Sequence, residues 1–124
     1  MKVKELLDQK GHDVYSITPD ATVYDALKLM AEKEIGALVV LEDDKMVGIL
    51  SERDYARKVI LKGKSSKETP VRAIMTADVI HTSPDKKVGK CLSLMTKHHF
   101  RHLPVLDEGR VVGMLSIEDV KGVT

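Results

Sequence analysis

The chain has 124 residues, 20 Lys and Arg against 19 Asp and Glu, one cysteine and no tryptophan. A formal charge of +1 provides no bulk attraction to nucleic acid or to an anionic membrane, and one thiol excludes an internal disulfide or a multi-thiolate metal site. With no signal-like leader and no apolar run of about eighteen residues, the expectation is a cytoplasmic protein with neither a membrane nor a nucleic-acid partner.

Phe100 is the only phenylalanine, so the core must come from Val, Leu, Ile, Met and Ala. After an opening Val3-Lys4-Glu5-Leu6-Leu7, an extended piece is predicted at residues 14–18. Pro19 stops it, because proline keeps its predecessor extended and suits a first helical turn. Asp20 or Thr22 can cap the helix that follows, on which Val23, Ala26, Leu27, Met30 and Ala31 recur at helical spacing. Residues 37–41 and 46–50 are β-rich and flank Glu42-Asp43-Asp44-Lys45, which predicts a hairpin with Asp43 and Asp44 in the turn. A second helix starts at Ser51 and runs through Leu61, before a Lys- and Ser-rich exposed connector.

The same order then recurs. At an offset of 65 residues, positions 14–54 lie over 79–119 without a gap, and fifteen positions are identical, Pro19/Pro84, Gly48/Gly113, Ser51/Ser116 and Asp54/Asp119 among them. Such self-similarity sets the architecture before any motif does. The second copy has an extended piece at 79–83, a cap at Ser83 or Asp85, and a helix with Val88, Cys91, Leu92, Met95 and Thr96. A hairpin with Gly109 in its turn and a helix from Ser116 complete it. Cys91 matches Ala26 and reads as a core residue, since a buried thiol behaves as a small hydrophobe. Pro104 lacks an N–H, which implies an edge or a ligand-facing backbone. Residues 71–75 open the second copy much as residues 3–7 open the first. The division expected is repeat 1 over 1–62, a linker over 63–70 and repeat 2 over 71–124.

The repeated Gly-x-x-Ser-x-x-Asp is the sharpest short pattern. Ser followed three residues later by an acid is close to a capping box, and capping alone accounts for Ser51 and Ser116. A helix N-terminus also suits a phosphate, and an Asp on its first turn can accept from both hydroxyls of a ribose. Gly48 and Gly113 either admit backbone or ligand closely, or relieve crowding between strand and helix. The copies differ in charge: Arg53 stands where Glu118 does, Ser16 where His81 does, and Gly36-Ala37 where Arg101-His102 do. Copy two can gather His81, Arg101 and His102 around an anion, whereas copy one relies on Arg53. No nucleophile–base pair, Gly-x-Gly-x-x-Gly fingerprint, Walker loop or metal-ligand spacing is present, so neither catalysis, a catalytic cofactor nor a metal is expected.

Two copies of strand, Pro-Asp, helix, hairpin and Gly-x-x-Ser-x-x-Asp together resemble a tandem pair of CBS (cystathionine β-synthase) domains, the Bateman module. The longer match over residues 50–59 and 62–67 looks like the small stand-alone bacterial type. The resemblance implies an α/β (α+β) fold of two pseudo-twofold-related βαββα repeats packed through their sheets. It implies a non-enzymatic regulatory or sensor module with two clefts for adenosyl ligands: AMP, ATP or NAD(H) ahead of S-adenosylmethionine. Asp54 and Asp119 would hold ribose, with Ser51 and Ser116 near phosphate. Ser16 and His81 occupy a position usually held by Thr beside the ligand. Ala37, Leu38 and Val39, with His102, Leu103 and Pro104, would line the base. Arg53, Arg57 and Lys58 would face further phosphate. A homodimer is implied, with Val59, Ile60 and Leu61 as apolar contacts, and a regulated protein partner is open to it. The alternative is a structural or protein-interaction module with vestigial clefts, in which each Ser-x-x-Asp is only a helix cap.

Overall fold

A computed structural model describes all residues, 1–124. Its elements run α1 (Val3–Lys10), β1 (Ser16–Ile17), α2 (Val23–Lys33), β2 (Ala37–Glu42), β3 (Lys45–Ser51) and α3 (Glu52–Tyr55). A π-helical turn, Ala56–Ile60, extends α3, and a short 3-10 turn follows at Val71–Ala73. Then come α4 (Val88–His98), β4 (His102–Asp107), β5 (Arg110–Ser116) and α5 (Ile117–Lys121). These are two repeats of the βαββα type, the second with its first strand reduced to a single bridge, and the chain forms two compact units, Tyr15–Val79 and Met1–Val14 with Ile80–Thr124. The unit boundaries cross the repeat boundaries: the segment that leads each repeat folds into the unit built on the other repeat's hairpin.

In the unit of residues 15–79, β1 pairs parallel to β2 and β2 antiparallel to β3. Val23, Ala26 and Met30 of α2 pack with Leu38, Val40, Leu50, Val59, Val71 and Ile74 in one core. Ala31, expected on that stripe, is exposed, as is its counterpart Thr96. Thr22 caps α2 by accepting from Asp25 N–H at 3.1 Å. Asp20 instead pairs with Arg72 Nη2 at 2.5 Å. The connector after α3 is exposed over 61–65 but ends anchored, for Val23 N–H donates to Thr69 O and Tyr24 N–H to Ser66 O. Val59 is fully buried in this core and so cannot serve a dimer face, whereas Ile60 and Leu61 are exposed. Its burial follows from the helix continuing past Tyr55 with one face inward.

In the other unit β4 and β5 form the same hairpin, with the same irregularity, between Val105 and Leu106, that the first has between Val40 and Leu41. Both turns use left-handed residues, Asp43 and Asp44 in one and Glu108 and Gly109 in the other. Twisted two-residue hairpin turns need that backbone. The strand expected at 79–83 does not form; it reduces to one bridge, Thr82 to Val105. The reason is Pro104. Its counterpart Val39 donates its N–H to Tyr15 O at 3.2 Å, a bond proline cannot make, while Thr82 N–H to Pro104 O and Leu106 N–H to Thr82 O survive. The capping expectation also changes: neither Ser83 nor Asp85 caps α4, whose N-cap is Lys87 without a side-chain bond. The core gathers Val3, Leu6 and Leu7 of α1 with Val88, Cys91, Met95, Leu103, Val105, Leu115 and Val120.

The two motif glycines explain how the lead segments fit. A Cβ on Gly113 would come within 2.6 Å of Leu7 Cδ2, and one on Gly48 within 2.7 Å of Met75 Sδ and 2.9 Å of Thr76 O. Both glycines therefore relieve packing, against a leucine of α1 in one unit and against backbone in the other. Ile49 and Thr76 complete the latter contact with two backbone bonds of 2.9 Å.

Candidate ligand site

Each hairpin brings the start of its first strand opposite the motif serine: Ala37 faces Ser51 and His102 faces Ser116 in register. The residues expected to line a base, Ala37–Val39 and His102–Pro104, thus lie at the same sheet end as the Ser-x-x-Asp elements. Leu38, Val39 and Leu103 are fully buried, and His102 is half-buried. Ser16 is exposed on β1.

Both serines cap. Ser51 Oγ accepts from Asp54 N–H at 3.2 Å while Asp54 Oδ2 accepts from Ser51 N–H at 3.0 Å and lies 3.1 Å from Ser51 Oγ. Ser116 and Asp119 repeat the reciprocal pair at 3.1 and 2.9 Å. The next N–H of each helix is also taken: Glu52 donates to Gly36 O and Ile117 to Arg101 O. These helix ends are thus closed by the protein's own acceptors rather than left as open clusters of donors.

Each carboxylate also holds a lysine, at Asp54 on the oxygen that the Ser51 N–H leaves free and at Asp119 on the same Oδ2 that accepts from Ser116 N–H. Lys58 Nζ lies 3.1 Å from Asp54 Oδ1 and donates to Ile74 O at 2.9 Å, and Thr76 Oγ1 donates to the same Oδ1 at 3.3 Å. In the other unit Lys10 Nζ lies 3.0 Å from Asp119 Oδ2 and donates to Met114 O at 2.5 Å. The lysines occupy unrelated sequence positions, one on the motif's own helix and one at the end of α1. Partial burial pushes the Asp119 carboxyl up, but the Ser116 N–H, the Lys10 ammonium and the Ser116 hydroxyl outweigh it and hold the group below the ordinary aspartate range. Lys10 and Thr76 carry no signal in the sequence, because they are remote from the motifs and in no recognisable spacing with them.

Of the copy-two cations, Arg101 and His102 both act on the Glu118 carboxylate. Arg101 pairs with Glu118 on α5. Hydrogen bonds from its own backbone, ahead of Arg101, hold the exposed Glu118 carboxyl below the usual range despite slight desolvation. His81 lies beside α4, where it lines a groove with Lys86 and Lys90. Arg53 is exposed on the first turn of α3, and Arg57 is exposed on the π turn. No helix is long and apolar enough to cross a membrane.

Two repeats of this type, each with a Ser-x-x-Asp capping box at the start of its last helix, form an architecture consistent with a paired regulatory or ligand-binding module. The CBS-domain family profile matches residues 3–61 and 71–123, and the chain belongs to that family. It is 46% identical over 108 residues to the mitochondrial CBS domain-containing protein CBSX3 of Arabidopsis thaliana, covering 83% of this chain and 52% of that protein. The chain thus spans about half the length of that curated relative. Among solved structures, a CBS-domain protein from Burkholderia ambifaria matches with a TM-score of 0.96 at 48% identity, over 99% of this chain and 93% of that one. A CBS-domain protein from Agrobacterium tumefaciens matches with a TM-score of 0.93 at 35% identity, over 99% and 98%.

Proposed function

We propose that the chain is a non-enzymatic regulatory module that binds an adenosyl ligand, AMP, ATP or NAD(H) ahead of S-adenosylmethionine, at its Ser-x-x-Asp elements. The observation that carries this reading is the doubly repeated register of strand start, motif serine and lysine-held carboxylate. Asp54 and Asp119 accept the ribose hydroxyls, and Ser51 and Ser116 lie near phosphate. Ala37–Val39 and His102–Pro104 form the wall for the base, with Ser16, Arg53, His81 and Arg101 at the margins. A ribose diol offers each carboxylate two neutral donors in place of one ammonium, so binding exchanges the lysine for the ligand. The ligand state would then be read by a second copy of the chain or by a regulated protein partner.

A second reading has its own support: a structural or interaction module in which the serines and aspartates only cap, as their closed hydrogen bonds allow. Calorimetric titration of AMP, ATP, NADH and S-adenosylmethionine into the wild type, Asp54→Asn and Asp119→Asn separates the two. Saturable binding that each substitution diminishes while the fold is kept supports the sensor. No heat and no thermal shift from any of the four overturns it in favour of the second reading.

A further inference from the structure

The groove beside α4 has a volume of about 510 Å³ and is walled by the segment His81-Thr82-Ser83 on one side and by α4 on the other. That volume is in the range of small-molecule sites. Lys86, Lys90 and Lys97 line it, together with Ser93 and the apolar side chain of Leu94, and no carboxylate does. None of the three lysines takes part in an ion pair. On α4, Lys90, Ser93 and Lys97 share one face at i, i+3 and i+7, which spaces the two ammonium-bearing positions about 10 Å along the axis.

The internal repeat supplies the control. At the equivalent positions of the first copy stand Ser16, Ala21, Asp25, Lys28 and Glu32, a net negative set, where the second has His81, Lys86, Lys90, Ser93 and Lys97. One backbone arrangement therefore carries opposite charge in the two copies. At the N-terminal end the difference runs against local helix electrostatics, for α2 has Asp25 in its first turn and α4 has Lys90 and no acid there, while Lys97 in the last turn of α4 suits the helix dipole. Cations near a helix N-terminus are unfavourable unless an anion offsets them. The helix end itself is not the receptor, since Val88 N–H is already bonded to Met1 O at 2.9 Å.

We infer that this groove is a second anion site, present in repeat two only, for a small molecule bearing a diphosphate or longer phosphate chain. The lysine spacing favours an elongated charge over a single phosphate, and the Leu94 wall accepts an apolar body attached to it. Neither Asp54 nor Asp119 lines this groove, which shares only His81 with the margin of the proposed ribose site and does not depend on the ribose reading.

The test is an NMR titration of the isotopically labelled full chain with pyrophosphate, which has no ribose, and in parallel with ADP, at about 150 mM salt. The expected result is saturable amide shifts confined to residues 81–83 and 86–97. Lys90→Asp with Lys97→Glu, the residues of the first copy, weakens that binding at least tenfold while the spectrum stays folded. Should that variant misfold, Lys90→Gln with Lys97→Gln gives the same loss. Shifts that do not saturate, that scatter over all lysines, or that survive the substitutions overturn the site. ADP shifts at Ser51 or Ser116 with no pyrophosphate response overturn the groove and leave the ribose reading standing; the converse leaves the groove standing alone.

Discussion

Lys10, at the end of α1, places its ammonium 3.0 Å from the Asp119 carboxylate while bonding the Met114 carbonyl of β5. The segment that leads the first repeat is thereby tied to the motif of the second. Both side chains are a little under one-third exposed, so the pair is neither a screened surface contact nor a dry one.

Lys10→Met should raise the Asp119 pKa, because it removes one of the groups that favour the charged carboxylate. Asp119 is depressed in the folded state, so its contribution to stability is present above the unfolded value, about 3.9, and is lost as pH falls through the lower folded value. In Lys10→Met the folded value moves back toward the unfolded one, so the acid-side loss is smaller and is complete at higher pH, and stability near neutrality falls by about 0.5–1 kcal/mol. Carboxyl-carbon NMR titration of Asp119 checks this; an unchanged titration in the variant refutes the coupling.

Removing the caps separates stability from binding. Ser51→Ala and Ser116→Ala should each cost about 1 kcal/mol in urea unfolding, and the glycine variants only a few tenths. Both have Asp N–H groups that lose their acceptor. If the alanine variants unfold at the wild-type midpoint, the serines are not structural caps.

The motif glycines should respond unequally to alanine. In Gly48→Ala the new methyl meets the Thr76 carbonyl at 2.9 Å, a rigid backbone atom, as well as Met75 Sδ. In Gly113→Ala its three nearest neighbours are all side-chain atoms of Leu7. Overpacking costs about 1–3 kcal/mol, with Gly48→Ala at the upper end. Leu7→Ala should partly rescue Gly113→Ala in a double-mutant cycle, a non-additivity read directly from denaturation midpoints.

Pro104→Val restores the donor that Val39 has in the first repeat. The expected outcome is a new bond from residue 104 N–H to the Ile80 carbonyl, extending the single Thr82 bridge into a two-residue strand. Hydrogen exchange at position 104 reads it: a protected amide supports the account, and one exchanging at the rate of an open loop contradicts it.

Cys91 should be inert. Its thiol is buried, and that burial pushes its pKa up against the smaller opposing effect of Thr82 Oγ1, 3.6 Å away. Only the thiolate reacts readily, so labelling by iodoacetamide at neutral pH should follow unfolding of the domain rather than the reagent concentration.

Much of the fold is legible in the amino-acid order. The helices on Val23 and Val88, both hairpins, their left-handed turns and the Ser-x-x-Asp caps follow from periodicity and turn chemistry, which are local. Pro104 stands out as an anomaly, but its effect on residues 79–83 depends on the strand that would pair with them. Cys91 reads correctly as core because its counterpart is Ala26. The burial of Val59 is not legible, because Val59-Ile60-Leu61 is apolar throughout and has no period to show which face turns inward.

What the amino-acid order determined by itself is the repeat, visible as a self-match at an offset of 65 residues, together with its helices, hairpins and capped aspartates, each of which depends on residues close together in the chain. Tertiary structure alone decided which lead segment belongs to which unit and that Lys10 and Thr76 reach the motif carboxylates. Those contacts join residues far apart in the chain, and their energy comes from packing and Coulomb interactions with no sequence period. The glycines mark the junction between the two kinds of information: a repeated Gly is visible in the sequence, but only the Leu7 and Thr76 atoms pressed against it show why no side chain fits.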